Sequence, residues 1–310
     1  MEPLSASLQI GEPVKHRGIT IAPLFPRRSP RARYVTLDEA LPLGFRIAEV
    51  SAAGLVPELI AHNPLDTAVL LYDGEELVGA KQNRILNVTA LVGAKSDVRI
   101  PVSCVEQGRW STRSAAFAAA EHASYPELRR RKAEMLLEAP LEPAEAQSAV
   151  WDSVAAKSAR MQAFSPTGAQ ADIFTARTSG LDALRRAFPL QPGQAGSVAA
   201  FGSRPVCLDY LSRPEAFARL YPKLLDGYLL DAIEQPVGDG GIDLQAFVER
   251  VLSAPRRPAP SVSLGDDVRL AGDGIVGSGL EFDGELVQLS AFSSEGARPR
   301  TRLMRPSLRR

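Results

Sequence analysis

Thr67-Ala-Val-Leu-Leu-Tyr72, Asp73-Gly74, Glu75-Glu-Leu-Val-Gly-Ala-Lys-Gln-Asn-Arg84 and Ile85-Leu-Asn-Val-Thr-Ala-Leu-Val92 run on without a break, and this stretch decides the fold. Two apolar, β-branched runs separated by Asp-Gly read as strands joined by a tight hairpin, because both central positions of such a turn need positive φ. The same text extends outward on both sides. Ile19–Leu24, Phe45–Val50 and Leu59–His62 precede it, Val98–Val105 follows, and Asn63-Pro64 breaks the run. The segment from Ile19 to Trp110 is therefore expected to be all β, as an antiparallel sheet or sandwich.

Beyond Trp110 the apolar period changes. Ser124-Tyr-Pro-Glu127 has the form of a capping box opening a helix through Leu137. Val150, Trp151, Val154 and Met161 make one stripe on a second helix from about Pro143 to Ala163. Ala169–Phe188 resumes the helical pattern, Ser197–Leu211 reads as strand, turn and strand, and Ser212 is placed to cap a long helix from Pro214. Asp243–Leu252 is a further amphipathic helix, and Ala254–Pro260 reads as a stiff, solvated proline-rich connector. Strand text returns in Val268–Leu270, Ile275–Phe282 and Glu285–Phe292. Phe282-Asp-Gly-Glu-Leu-Val287 echoes Tyr72-Asp-Gly-Glu-Glu-Leu-Val78, either as reuse of one hairpin or as chance recurrence of a favourable turn.

The expected fold class is α+β, with N- and C-terminal strands forming an antiparallel sheet or sandwich and a central helical segment packed on it. A single domain over residues 1–297 is expected, with a β region at 19–110, a helical region at 111–253 and a β region at 262–292. Residues 298–310 hold six arginines and no acid, and are expected to be a disordered tail.

Composition narrows the function. The 36 basic and 36 acidic residues cancel, which argues against a dedicated nucleic-acid binder. No apolar run approaches the roughly 20 residues that span a bilayer. Cys104 and Cys207 lie far apart and no export signal is readable, so free thiols in the cytoplasm are expected. His16, His62 and His122 show no ligand spacing, and no zinc site, Walker loop or nucleophile elbow appears. Gly272-Asp-Gly-Ile-Val-Gly277 fits the dinucleotide fingerprint in letters only, because strand text follows it, and a β-turn is expected there. The cofactor is left open, and a divalent cation on Asp73, Glu75, Glu76 and Glu106 is an alternative that their spacing does not itself support.

The chemistry concentrates in two segments. In Asp73–Arg84, strand parity extended back to Lys81 puts Lys81 and Asn83 on one side, with Gln82 and Arg84 on the other. In Pro101–Trp110, Val98, Ile100, Val102 and Cys104 share a face, and Glu106 continues that parity. A coreward carboxylate needs a partner, and Arg84, Lys81 and Arg109 are the candidates. Cys104 followed by Arg109 falls one residue short of the cysteine-dependent phosphatase loop, so Cys104 reads as a small buried hydrophobe. Lys81, Arg84 and Arg109 suit phosphate, Gln82 and Asn83 suit ribose hydroxyls or a base, and Trp110 suits stacking. Glu106 or Glu75 would act as general acid or base in an enzymatic version. The alternative is a non-catalytic interaction module in which the same cluster is a structural ion-pair lock.

At Val56-Pro-Glu-Leu59, Asp73–Arg84, Pro101–Trp110, Ala149-Val-Trp-Asp152 and Gly227-Tyr-Leu-Leu-Asp-Ala232 the chain resembles the ARG and Rhodanese-Phosphatase-superfamily-associated Protein domain family. That resemblance implies a bacterial protein acting near ADP-ribose or NAD breakdown, with no particular activity attached. It points to Glu75, Lys81, Gln82, Asn83, Arg84, Glu106, Arg109 and Trp110 as the site.

Overall fold

Period-two alternation sorts the strands into layers. The computed structural model describes residues 8–51, 57–137, 143–235 and 241–294. The strands are β1 (Leu8–Ile10), β2 (Val14–His16), β3 (Ile19–Pro26), β4 (Tyr34–Thr36), β5 (Arg46–Glu49), β6 (Glu58–Asn63), β7 (Ala68–Leu71), β8 (Glu75–Gly79) and β9 (Arg84–Leu86). They continue as β10 (Ala90–Val92), β11 (Ser96–Cys104), β12 (Phe117–Ala123), β13 (Gly196–Phe201), β14 (Arg204–Leu211), β15 (Arg256–Ala259), β16 (Asp266–Gly272), β17 (Ile275–Phe282) and β18 (Glu285–Ser293). The helices are α1 (Leu37–Ala40), α2 (Pro126–Leu137), α3 (Pro143–Arg160), α4 (Gln170–Arg185), α5 (Pro214–Ala232) and α6 (Leu244–Ser253).

The α+β expectation holds, and the C-terminal strands do return to the N-terminal ones. A nine-stranded sheet runs β1-β3-β13-β14-β18-β17-β16-β15, with β2 added beside β3. Its two faces follow residue parity. Ile19 and Ile21 of β3, with Cys207 and Leu211 of β14, face the core shared with α2 to α5. Ala22, Leu24, Leu208 and Tyr210 face the layer closed by α6. A six-stranded sheet, β12-β8-β9-β11-β6-β5, packs against a small sheet of β10, β7 and β4, whose β4–β7 pair is parallel. Leu59, Ile100 and Val102 meet Val69, Leu71 and Val92 between them.

Several expectations are corrected. The two Asp-Gly turns differ: Asp283 and Gly284, at φ 52° and 71°, close the hairpin between β17 and β18. Asp73-Gly74 closes none, because β7 pairs with β10 and β4 whereas β8 pairs with β9 and β12. There the chain changes sheets, and Asp73 is held by Arg129 and Lys132 of α2. The connector at 254–260 contains an edge strand, β15, where proline removes no needed donor. Ser124 does not cap α2. The Glu127 amide donates instead to the Asp231 carboxylate of α5 at 2.7 Å, and the Ser124 hydroxyl has no partner. Nor does Ser212 cap α5, since its hydroxyl meets that of Tyr34 at 3.1 Å. Gly272–Gly277 is the expected turn, between β16 and β17. The basic tail lies outside the described residues.

Gly74 sits at φ 83°, and a Cβ there would lie 2.7 Å from Cδ of the buried Arg129. Gly74→Ala is expected to destabilise the fold by about 2 kcal/mol, from left-handed strain plus a displaced core side chain. A urea midpoint would register this, and a loss under about 0.5 kcal/mol would mean that Arg129 can relocate freely.

Candidate functional site

The six-stranded sheet carries two polar clusters on opposite faces, where the sequence suggested one. The strand geometry expected back to Lys81 is absent, since β9 begins at Arg84, and Lys81, expected on the side of Asn83, lies with Arg84 beside Trp110; Asn83 nevertheless turns away from Gln82 and Arg84. Arg84 lies opposite both Leu77 and Cys104, whereas Ile85 lies opposite Glu76 and Ser103. Gln82 and Arg84 accordingly project to the face of Leu77, and Asn83 joins Glu76.

On the helical face, Glu106 pairs with Arg109 through two bonds of 2.8 and 2.6 Å. The same carboxylate accepts from the Asn83 amide at 3.0 Å and from the Thr167 hydroxyl at 3.0 Å. Burial alone would raise the Glu106 pKa, but the hydrogen bonds from Arg109, Asn83 and Thr167 outweigh it and hold the carboxyl below its ordinary range. Arg109 also donates to the carbonyls of Ala80, Ser111 and Gly79. Beside this pair, Glu76 accepts from Asn83 at 3.1 Å, from Gln170 at 2.6 Å and from His122 at 2.8 Å, with His122 stacked 3.9 Å over Phe174. Glu106, Arg109 and Asn83 thus come together in a network whose main hydrogen-bonding demands are met.

On the other face, Arg84 is fully buried and is held by one end. Its Nη1 donates to Gln82 at 2.8 Å and touches the Cys104 sulfur, and that thiol donates to Gln82 at 2.6 Å. Nε and Nη2 have no hydrogen-bond partner. Burial pushes the Cys104 thiol up to about 11 despite the neighbouring Arg84, so it is neutral at physiological pH and no activated nucleophile. Trp110, 51% exposed, roofs this cluster, with Arg84 5.8 Å and Lys81 5.3 Å from its ring centre.

Glu75 belongs to neither cluster. It turns to α5, where it accepts from Lys223 at 3.1 Å near Asp38. Burial raises its pKa, and Lys223 offsets that only in part. The carboxylates of Asp73, Glu75, Glu76 and Glu106 each pair with a different basic side chain and are not gathered around one point. Glu127, Asp231 and Glu234 do bring oxygens within 4.8 Å of one another, but all three are already paired with Lys157 or Arg160. Glu49, Glu76, His122 and Gln170 escaped the sequence as site residues. They reach the clusters through β5, β8, β12 and α4, and only the run of polar residues around Glu76 signalled any of them.

These features define an α+β protein with a two-faced polar site on its smaller antiparallel sheet. The chain belongs to the ARG and Rhodanese-Phosphatase-superfamily-associated Protein domain family, whose profile matches residues 7–292. No curated protein and no solved structure matches it. No helix among the described residues is long and apolar enough to cross a membrane.

Proposed function

We propose that the Trp110 face binds, and in an enzymatic version processes, a phosphorylated nucleotide-like ligand of the ADP-ribose and NAD class. The observation that carries this reading is an exposed indole above two cations, one of them Arg84 with two buried nitrogens that make no hydrogen bond. An exposed aromatic plane offers a stacking platform to a base. Lys81 on the solvent side suits a phosphate, and Arg84 beneath suits a hydrogen-bond acceptor on the ligand. The family's association with phosphatase-superfamily proteins is consistent with phosphate-bearing ligands. Arg109 and Asn83 serve this site indirectly, by fixing the loop that carries Trp110 and the strand that carries Arg84. Glu106 and Glu75, the acid–base candidates, are both engaged by cations, and Glu106 is the nearer of the two to the Trp110 loop.

The test is a thermal-shift series with ADP-ribose, NAD, AMP and ribose 5-phosphate on wild type and Trp110→Ala. Ligand present at 100 times its Kd raises stability by about 2.7 kcal/mol if it binds only the folded state. The rise is expected in wild type and should fall by at least half in Trp110→Ala, whose exposed side chain contributes little to folding. No rise with any of the four compounds would refute the reading.

A further inference from the structure

Four buried polar atoms without a hydrogen-bond partner meet at one place beside this site: Nε and Nη2 of Arg84 and both carboxylate oxygens of Glu49. Their nearest approach, Nη2 to Oε1, is 3.9 Å, too long for a hydrogen bond. A carboxylate and a guanidinium that merely locked the sheet would close that gap, because an unpaired buried donor or acceptor is costly. The Glu106–Arg109 pair on the opposite face does close, to 2.6 Å.

The geometry explains why the gap persists. Gln82 and Cys104 hold the far end of the Arg84 guanidinium. Glu49 is fixed by ladder register, opposite Leu59 of β6, which lies opposite Ile100 of β11. The charges in the gap cancel, one cation against one anion, since the Cys104 thiol is neutral and Glu106 is matched by Arg109. A phosphate or carboxylate placed against Arg84 here would lie beside the Glu49 anion and be repelled. A neutral group with an acceptor and a donor on one planar edge meets both sides at once.

We infer that the Arg84–Glu49 gap is a slot for a neutral, planar amide edge of the ligand, its carbonyl accepting from Arg84 Nε and Nη2 and its N–H donating to Glu49. This rests on the reading of the Trp110 face as a nucleotide-like site. Entry requires the half-exposed indole to swing aside. A carboxamide on a pyridine ring and the lactam edge of guanine both carry the pattern, whereas adenine has no carbonyl.

Isothermal titration of wild type and the isosteric Glu49→Gln with nicotinamide mononucleotide, nicotinic acid mononucleotide, GMP and AMP tests the slot. The first two ligands differ only in amide against carboxylate. The expected result is binding of nicotinamide mononucleotide or GMP at least tenfold tighter than of nicotinic acid mononucleotide and AMP. Glu49→Gln, shown folded by circular dichroism, should cut that preference to under threefold. Which of the two amide carriers binds identifies the source of the edge. Equal affinity for the amide and the carboxylate, or a preference unchanged in Glu49→Gln, overturns the slot while leaving the Trp110 site standing if AMP or ADP-ribose binds. Absence of binding by every compound overturns both.

Discussion

Replacing Arg129 by alanine is expected to cost about 3–5 kcal/mol of folding stability, because it leaves a buried carboxylate without its cation. Asp209 is completely buried on β14 and accepts from Arg129 at 2.7 and 3.0 Å, from Tyr72 at 2.7 Å and from Tyr228 at 2.6 Å. Arg129 also donates to Ser290 at 3.0 Å and lies over the rings of Tyr72 and Phe292. Burial alone would raise the Asp209 pKa, but the Arg129 charge and hydrogen bonds, with those of the two tyrosines, hold it below its ordinary range. The network joins the nine-stranded sheet to α2, to α5 and to the Tyr72 crossing, so its loss loosens several contacts together. Urea denaturation of Arg129→Ala, Asp209→Asn and the double variant would measure it. The double variant should recover at least about 1 kcal/mol relative to the sum of the single losses. Additive losses would show that the two residues do not depend on one another.

Arg109→Ala should be nearly as damaging, again about 3–5 kcal/mol, and it should change the acid limb of the stability curve. In the folded protein the Glu106 carboxyl titrates below its ordinary value of 4.5. A depressed folded pKa contributes stability above the unfolded value, and that contribution is lost as pH falls through the folded one. Without Arg109 the carboxyl loses the hydrogen bonds and the charge that do most to lower it and moves up, so that contribution is lost. The stability gap between wild type and Arg109→Ala is therefore expected to be widest above about pH 5 and to narrow on acidification toward pH 3. Asp209 titrates in both proteins and cancels in the difference. A gap independent of pH between 3 and 6 would mean that Arg109 acts through the Ala80, Gly79 and Ser111 carbonyls rather than through Glu106.

What the sequence disclosed follows the range of each interaction. The parting of Asn83 from Gln82 and Arg84 was legible, although β9 starts only at Arg84 and Lys81 does not follow the pattern, and Arg109 was one of three candidate partners for Glu106, with Arg84 and Lys81. Glu49, His122 and Gln170 were illegible as site residues because sheet order, rather than spacing, brings them to Arg84 and Glu76. Asp73-Gly74 looked like Asp283-Gly284, yet Arg129 and Lys132 capture Asp73 and send the chain to another sheet. Ser124 lost its capping role to Asp231, 107 residues further along in sequence number, and only the packing of α5 could reveal it. Gly227 permits that packing, because a Cβ there would lie 3.1 Å from the Ser124 carbonyl. The motif beginning at Gly227 thus acts through one close approach and the carboxylate it delivers.

The order of the nine-stranded sheet also sets how the chain must acquire its shape. Ile19 of β3 lies opposite Phe201 of β13, and Cys207 of β14 lies opposite Phe292 of β18, so the central ladders join segments from the beginning, middle and far end of the described chain. Loop closures of that length precede the contacts that reward them, which makes for slow folding. Until β18 emerges from the ribosome, β14 presents an open, apolar edge of the kind that recruits foreign strands. The nascent chain is therefore expected to need that edge shielded until β18 is made.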